Sequence, residues 1–124
     1  MEPQQQLFTR ILTVLREKGL DVYDGALPPK DTPYPFVYMG DSQTVDSMRK
    51  GSVGGQVYQT IHIWHNNSNE RGTLSELILT VKKALYEIEN TSGWLLSDVS
   101  SQIMPDTTTD IPLMHGIINA VFKF

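Results

Sequence analysis

VYQTIHIW, residues Val57–Trp64, runs through a polar loop into TLSELILTVKKALYEI, residues Thr73–Ile88, and this join decides the fold. The first stretch has the period of a strand, with Val57, Ile61 and Ile63 leaving one side and Tyr58, Thr60, His62 and Trp64 the other. Neither side is plainly polar, so the strand reads as central, with its second side covered by protein or by a partner. The second stretch sets Leu74, Leu77, Ile78, Val81, Leu85 and Ile88 on one helical stripe, and Thr73 with Glu76 matches a capping box. Burying each of those side chains is worth about 1.5–3 kcal/mol. Every residue of the helix costs about 1–2 kcal/mol of backbone entropy. The apolar residues are too few to offset that cost alone, so the helix must dock on the sheet.

Working outward, Gln4–Lys18 has a broad apolar face made by Leu7, Phe8, Ile11, Leu12, Val14 and Leu15, and Gly19 is a good C-terminal stop. Leu20–Tyr23 reads as a brief strand ended by the turn pair Asp24-Gly25. The four prolines of ALPPKDTPYP, residues 26–35, make an irregular connection. Phe36–Met39 is a strand bounded by Gly40, and a second alternating stretch covers Ser42–Ser47. Met48–Gly55, with its three glycines, reads as a flexible hairpin tip joining Phe36–Ser47 to Gln56–Trp64 as an antiparallel pair. Beyond the second helix, which Thr91-Ser92-Gly93 ends, Trp94–Met104 and Ile117–Phe124 read as two further strands separated by PDTTTDIPLMHG. The expected fold is α+β: a mostly antiparallel sheet of about four to five strands with two amphipathic helices, about 4–18 and 73–89, packed on it. Residues 1–124 form a single domain with the flexible loop at about 48–55.

Composition narrows the function. The chain has no cysteine, which excludes disulfides, zinc thiolates and cysteine nucleophiles. No apolar run approaches the ~20 residues that span a bilayer, and no secretion signal precedes Gln4, so neither a membrane nor export is expected. The net charge of −4 comes from Glu87, Glu89, Asp98, Asp106 and Asp110 against Lys123, because acids and bases balance up to Lys83. Such a surface keeps the protein soluble and does not attract nucleic-acid phosphates.

No constellation for catalysis or cofactor binding emerges. His62 and His65 are three apart on a strand and leave opposite faces, so they cannot share a metal unless the fold supplies others, such as His115. The run Gly51-Ser52-Val53-Gly54-Gly55 leads into a strand, not into a helix as a phosphate-binding loop does. Asp21, Asp24 and Asp31 suit turns and caps. No G-x-S-x-G elbow occurs. No enzyme and no cofactor are expected. The alternative of a small-ligand-binding or catalytic α+β domain would place its pocket on Tyr58, His62 and Trp64.

The order of elements nevertheless has a counterpart. An amphipathic helix precedes Val22-Tyr23-Asp24-Gly25, a proline-bearing linker, Pro35-Phe36-Val37-Tyr38-Met39-Gly40, a Gly-rich hairpin, Thr60-Ile61-His62-Ile63-Trp64, a second amphipathic helix and a C-terminal strand pair. This resembles the tail-completion proteins of long-tailed bacteriophages and prophages, also called tail terminators or tail-to-head joining proteins. The resemblance implies a mixed α/β fold and a structural role. In that role a ring, commonly of six copies, caps the head-proximal end of the tail tube and meets the head connector. It implies the tail tube protein and connector as partners, assembly in the bacterial host cytoplasm, and residence at the head–tail junction of the virion. A head-side adaptor or another minor tail component is the alternative within assembly. The residues expected to meet a partner are those of the hairpin tip, Met48, Arg49, Lys50, Gly51, Ser52, Val53, Gly54 and Gly55.

Overall fold

Two helices cross one face of a five-stranded sheet in a computed structural model that describes residues 3–25, 33–49, 52–66, 71–92, 94–106 and 113–124. The elements run α1 (Pro3–Glu17), β1 (Val22–Tyr23), β2 (Phe36–Arg49), β3 (Ser52–His65), α2 (Arg71–Ser92), β4 (Leu95–Asp106) and β5 (Leu113–Lys123). The strand order is β1-β2-β3-β5-β4, antiparallel throughout except for the parallel β1–β2 pair. The expected α+β class holds, and β3 is central, flanked by β2 and β5.

Gly19 stops α1 as its sequence position foretold. Its φ of 83° lets Gly19 N–H donate to Arg16 C=O at 3.0 Å and Leu20 N–H to Leu15 C=O at 3.3 Å, the paired bonds of a Schellman turn. The turn carries the chain into β1, and the Arg16 guanidinium holds it there by donating to Val22 C=O at 3.0 Å. At the other end of α1, Gln4 Nε2 donates to Ser42 Oγ at 2.9 Å. The two helices are linked by an exposed ion pair, Lys18 Nζ to Glu87 Oε1 at 2.9 Å.

Under the helices, Leu7, Ile11 and Leu15 of α1 and Leu74, Val81, Leu85 and Ile88 of α2 meet Val57, Ile61, Ile63, Ile118 and Phe122, all sealed from solvent. α2 lies close on β5. A Cβ added to Gly116 would stand 3.2 Å from Ile78 Cδ1 and 3.4 Å from Leu74 Cδ1, so the missing side chain lets the helix settle directly on the strand. The buried Gln59 is the polar exception, its Nε2 donating to Thr60 C=O at 2.9 Å and Gly40 C=O at 3.3 Å. The Gly40 carbonyl is available because β2 shifts register between Met39 and Ser42, a bulge that frees it from the ladder.

Three sequence expectations are corrected. α2 begins at Arg71, so Thr73 lies inside the helix and does not cap it. Docking of Leu74 and Ile78 sets the helix length, and a cap worth about 1 kcal/mol does not override it. The segment PDTTTDIPLMHG is less of a linker than expected, because β4 runs to Asp106 and β5 starts at Leu113. Pro105 is tolerated in β4 because that strand lies at the sheet edge.

The third correction concerns the tip. The β2–β3 ladder continues through Ser47↔Gly54, Met48↔Val53 and Arg49↔Ser52, where the sequence suggested a loop from Met48 to Gly55. Gly54 and Gly55 serve the ladder. Gly55 N–H donates to Phe124 C=O at 3.2 Å, and Phe124 N–H returns a bond to Gly55 C=O at 3.1 Å. A Cβ on Gly54 would stand 2.9 Å from Phe124 O, and one on Gly55 2.7 Å from Val45 O. Glycine is needed there for close backbone approach rather than for a turn.

Candidate functional site

The helices cover one face of the sheet, and among the described residues no second layer covers the other. Alternation places Phe36, Tyr38, Gln43 and Val45 of β2 on that open face, with Tyr58, Thr60, His62 and Trp64 of β3 and His115, Ile117, Asn119 and Val121 of β5. The second side of β3 was expected to be covered by protein or by a partner, and among the described residues of this single chain no layer covers it. Thr60, His62 and Trp64 are half-buried and Tyr58 is 41% exposed.

The face is organised around two imidazoles. Trp64 pairs with His115 in register, and their rings stack with centroids 3.7 Å apart and planes 10° from parallel. His62, two residues earlier on β3, lies beside His115 with ring centroids 4.9 Å apart and planes 25° from parallel. His62 Nδ1 and His115 Nε2 are 2.7 Å apart, a hydrogen bond between rings. Tyr38, opposite His62 on β2, lies tilted at 6.4 Å, and its hydroxyl donates to Gly25 C=O. Beneath His62 is Gly40: a Cβ there would stand 2.7 Å from both Cδ2 and Nε2 of the ring. The imidazole therefore lies flat on backbone at the β2 bulge.

Burial lowers the pKa of His62, with nearby Asp41 opposing. Burial also lowers that of His115; His62 adds to the lowering, and Asp106 opposes it. Desolvation thus outweighs the carboxylates at both rings and favours their neutral forms.

Tyr58, His62 and Trp64 do share the open face. A groove of about 390 Å³ lies elsewhere, between α2 and β4, and is lined by Arg71, Ile78, Leu79, Lys82, Gln102 and Ile103 among others. A smaller hollow of about 200 Å³ involves Gly19, Phe36 and Leu77. Neither touches Tyr58, His62 or Trp64. Among the described residues no three histidine, aspartate or glutamate side chains converge as metal ligands. No described helix is long and apolar enough to cross a membrane.

The hairpin tip stands apart from this face. β5 pairs with β3 only from Gln56 onward, apart from the Phe124–Gly55 bonds. Ser47–Arg49 and Ser52–Gly54 therefore form a two-stranded arm reaching roughly 10 Å past the sheet body, at ~3.4 Å per residue. The structure describes the backbone of Met48, Arg49, Ser52 and Val53; Lys50 and Gly51 lie outside the described residues.

Sequence reasoning missed the partnership of His62 with His115. It placed His115 in a linker, where no side can be assigned. With β5 starting at Leu113, two-residue alternation puts His115 on the face of Ile117 and Asn119, beside Trp64.

No family model matches the chain. It is 31% identical over 99 residues to the tail completion protein gp17 of Bacillus phage SPP1, an alignment spanning 77% of this chain and 71% of that protein. The solved structure of bacteriophage SPP1 gp17 superposes with a TM-score of 0.61 at 22% identity, over 98% of this chain and 90% of that one. A chain from the virion of a native gene transfer agent particle matches with a TM-score of 0.48 at 14% identity, over 94% and 91% of the two chains.

Proposed function

The chain belongs to the phage tail-completion family, and on that premise we propose that it caps the head-proximal end of the tail tube and joins the tail to the head connector. The observation that carries this reading is the 31% identity to a tail completion protein over 99 residues. The role is structural and non-enzymatic, with the tail tube protein and the connector as partners. It is exercised in the host cytoplasm during assembly and at the head–tail junction of the virion.

The working form is a ring, commonly of six copies. A ring closes through head-to-tail contacts, which need two different patches on each subunit. The open sheet face, with Val45 and Tyr58 exposed, and the outer side of α2, with Leu79 and Tyr86 exposed, lie on opposite sides of the molecule and suit that requirement. The arm is the segment that meets the connector or a neighbour, through Met48–Gly55, with Arg49 and Lys50 opposite acidic groups.

Deleting the gene from its parent phage or prophage and examining the particles by negative-stain microscopy tests the reading. DNA-filled heads beside separate tails, some too long, are expected. Normally joined virions would sink it. Reversing the arm charges (Arg49→Glu with Lys50→Glu) is expected to keep the purified protein folded and to lower infectivity at least tenfold. Full infectivity of that double variant would remove the arm from the proposed contact.

A further inference from the structure

The imidazole pair on the open face is built for a task that neither the fold nor the assembly role requires. A sheet surface is satisfied by any β-forming residues, yet here two rings are hydrogen-bonded to each other, one of them, His115, stacked on Trp64 and the other, His62, seated on a glycine that leaves it no room to move downward. A neutral imidazole has one N–H and one lone pair. In the neutral pair one ring donates across the 2.7 Å gap and the other accepts.

That arrangement fixes the order in which protons can bind. Whichever ring donates in the gap has its lone pair on its outer nitrogen, and the first proton from solvent binds there. The bridge survives, now charge-assisted. The only lone pair left belongs to the acceptor nitrogen and is engaged in the bridge. A second proton must take that lone pair, which leaves two N–H groups facing each other between two cations. The bridge then breaks.

We propose that His62 and His115 form a two-step acid-sensitive latch: the first proton is held without structural change, and the second breaks the bridge and drives the two rings apart, disturbing the stack of His115 on Trp64. The titratable groups facing the pair, among the described residues, are Tyr38 and Asp41 from β2 and Asp106 from β4. The two carboxylates partly balance the first charge, and the second charge is left to the ring–ring repulsion. Acid thereby turns a neutral aromatic patch into a cationic one at the centre of the open face.

The shifts also fix how stability follows pH. Both pKa values are lowered from 6.5 in the folded state, so the unfolded chain binds these protons first. The stability contributed by the neutral pair is complete above about pH 6.5 and is lost as pH falls through the folded-state values.

The test is a pH titration of the full chain by imidazole NMR, combined with Trp64 fluorescence taken as the difference between wild type and Trp64→Phe. Two separate steps are expected, both below 6.5, with the Trp64 signal changing only at the second. A single shared step near 6.5, or a Trp64 signal that follows the first proton, would overturn the proposal. In His62→Phe, whose fold is checked by spectral dispersion at pH 8, His115 is expected to titrate once, at higher pH than in wild type. An unchanged His115 midpoint in a folded variant also overturns it. If the variant does not fold, the wild-type titration decides alone.

Discussion

The two faces of β3 share one backbone and one solvent, yet they are put to different uses. Val57, Gln59, Ile61 and Ile63 are shut under two helices and sealed from solvent, with the Gln59 amide nitrogen donating to two backbone carbonyls. Tyr58, Thr60, His62 and Trp64 leave the same strand on the other side and, among the described residues, are covered by cross-strand neighbours alone. The helix face carries the stability of the fold. The open face holds its aromatic and imidazole groups in place through cross-strand ring contacts and the bond between the two imidazoles. A protein that must stay folded while its surface meets other proteins benefits from this separation.

The contrast breaks if truncations on the two faces cost alike. The largest effect is expected for Phe122→Ala, which removes a fully buried ring packed edge-on against Trp94. Its cost is about 3–5 kcal/mol, read as a lowered urea midpoint with unchanged slope. A loss below about 1 kcal/mol would mean that the helix face is not the main core.

Gly40→Ala lies between the faces and sharpens the comparison. The new methyl meets the His62 ring at 2.7 Å and the Thr60 carbonyl at 3.1 Å, and His62 cannot yield without giving up His115. A cost of about 1–3 kcal/mol is expected by denaturation, together with shifted imidazole resonances. Wild-type stability and resonances would show that the ring is free to move and that the open face is softer than its contacts suggest.

The smallest effect is expected for Tyr58→Ser. The ring is 41% exposed, and its hydroxyl donates to Gln56 Oε1 on the same strand at 2.9 Å. A change within about 0.5 kcal/mol is expected. A loss as large as that of Phe122→Ala would place the open face in the core and erase the distinction.

Much of the fold was legible. The helical stripe of Leu74–Ile88, the stop at Gly19 and the alternation of Val57–Trp64 are local periodicities, readable wherever one side of an element is buried. The extents of elements were less legible. Met48, Arg49, Ser52, Gly54 and Gly55 look like a loop by composition, yet they pair because their partners are across the hairpin and, for Gly55, at Phe124. Pro105 and Leu113–Gly116 look like a linker, yet they extend strands whose neighbours supply the hydrogen bonds. Cross-strand bonding is a long-range gain and leaves no local signature.

The sequence by itself determined the α+β class, the two helices and their buried stripes, the central place of β3 and the resemblance to tail-completion proteins. Each of these depends on residue order and period, which the chain carries in full. Only the tertiary structure decided that β5 inserts between β3 and β4, that the helices share one face and leave the other open, and that His62 meets His115 at 2.7 Å. These follow from strand order and register. Residues 53 apart in sequence become neighbours only when hydrogen bonding and the burial of β5 under α2 place their strands side by side.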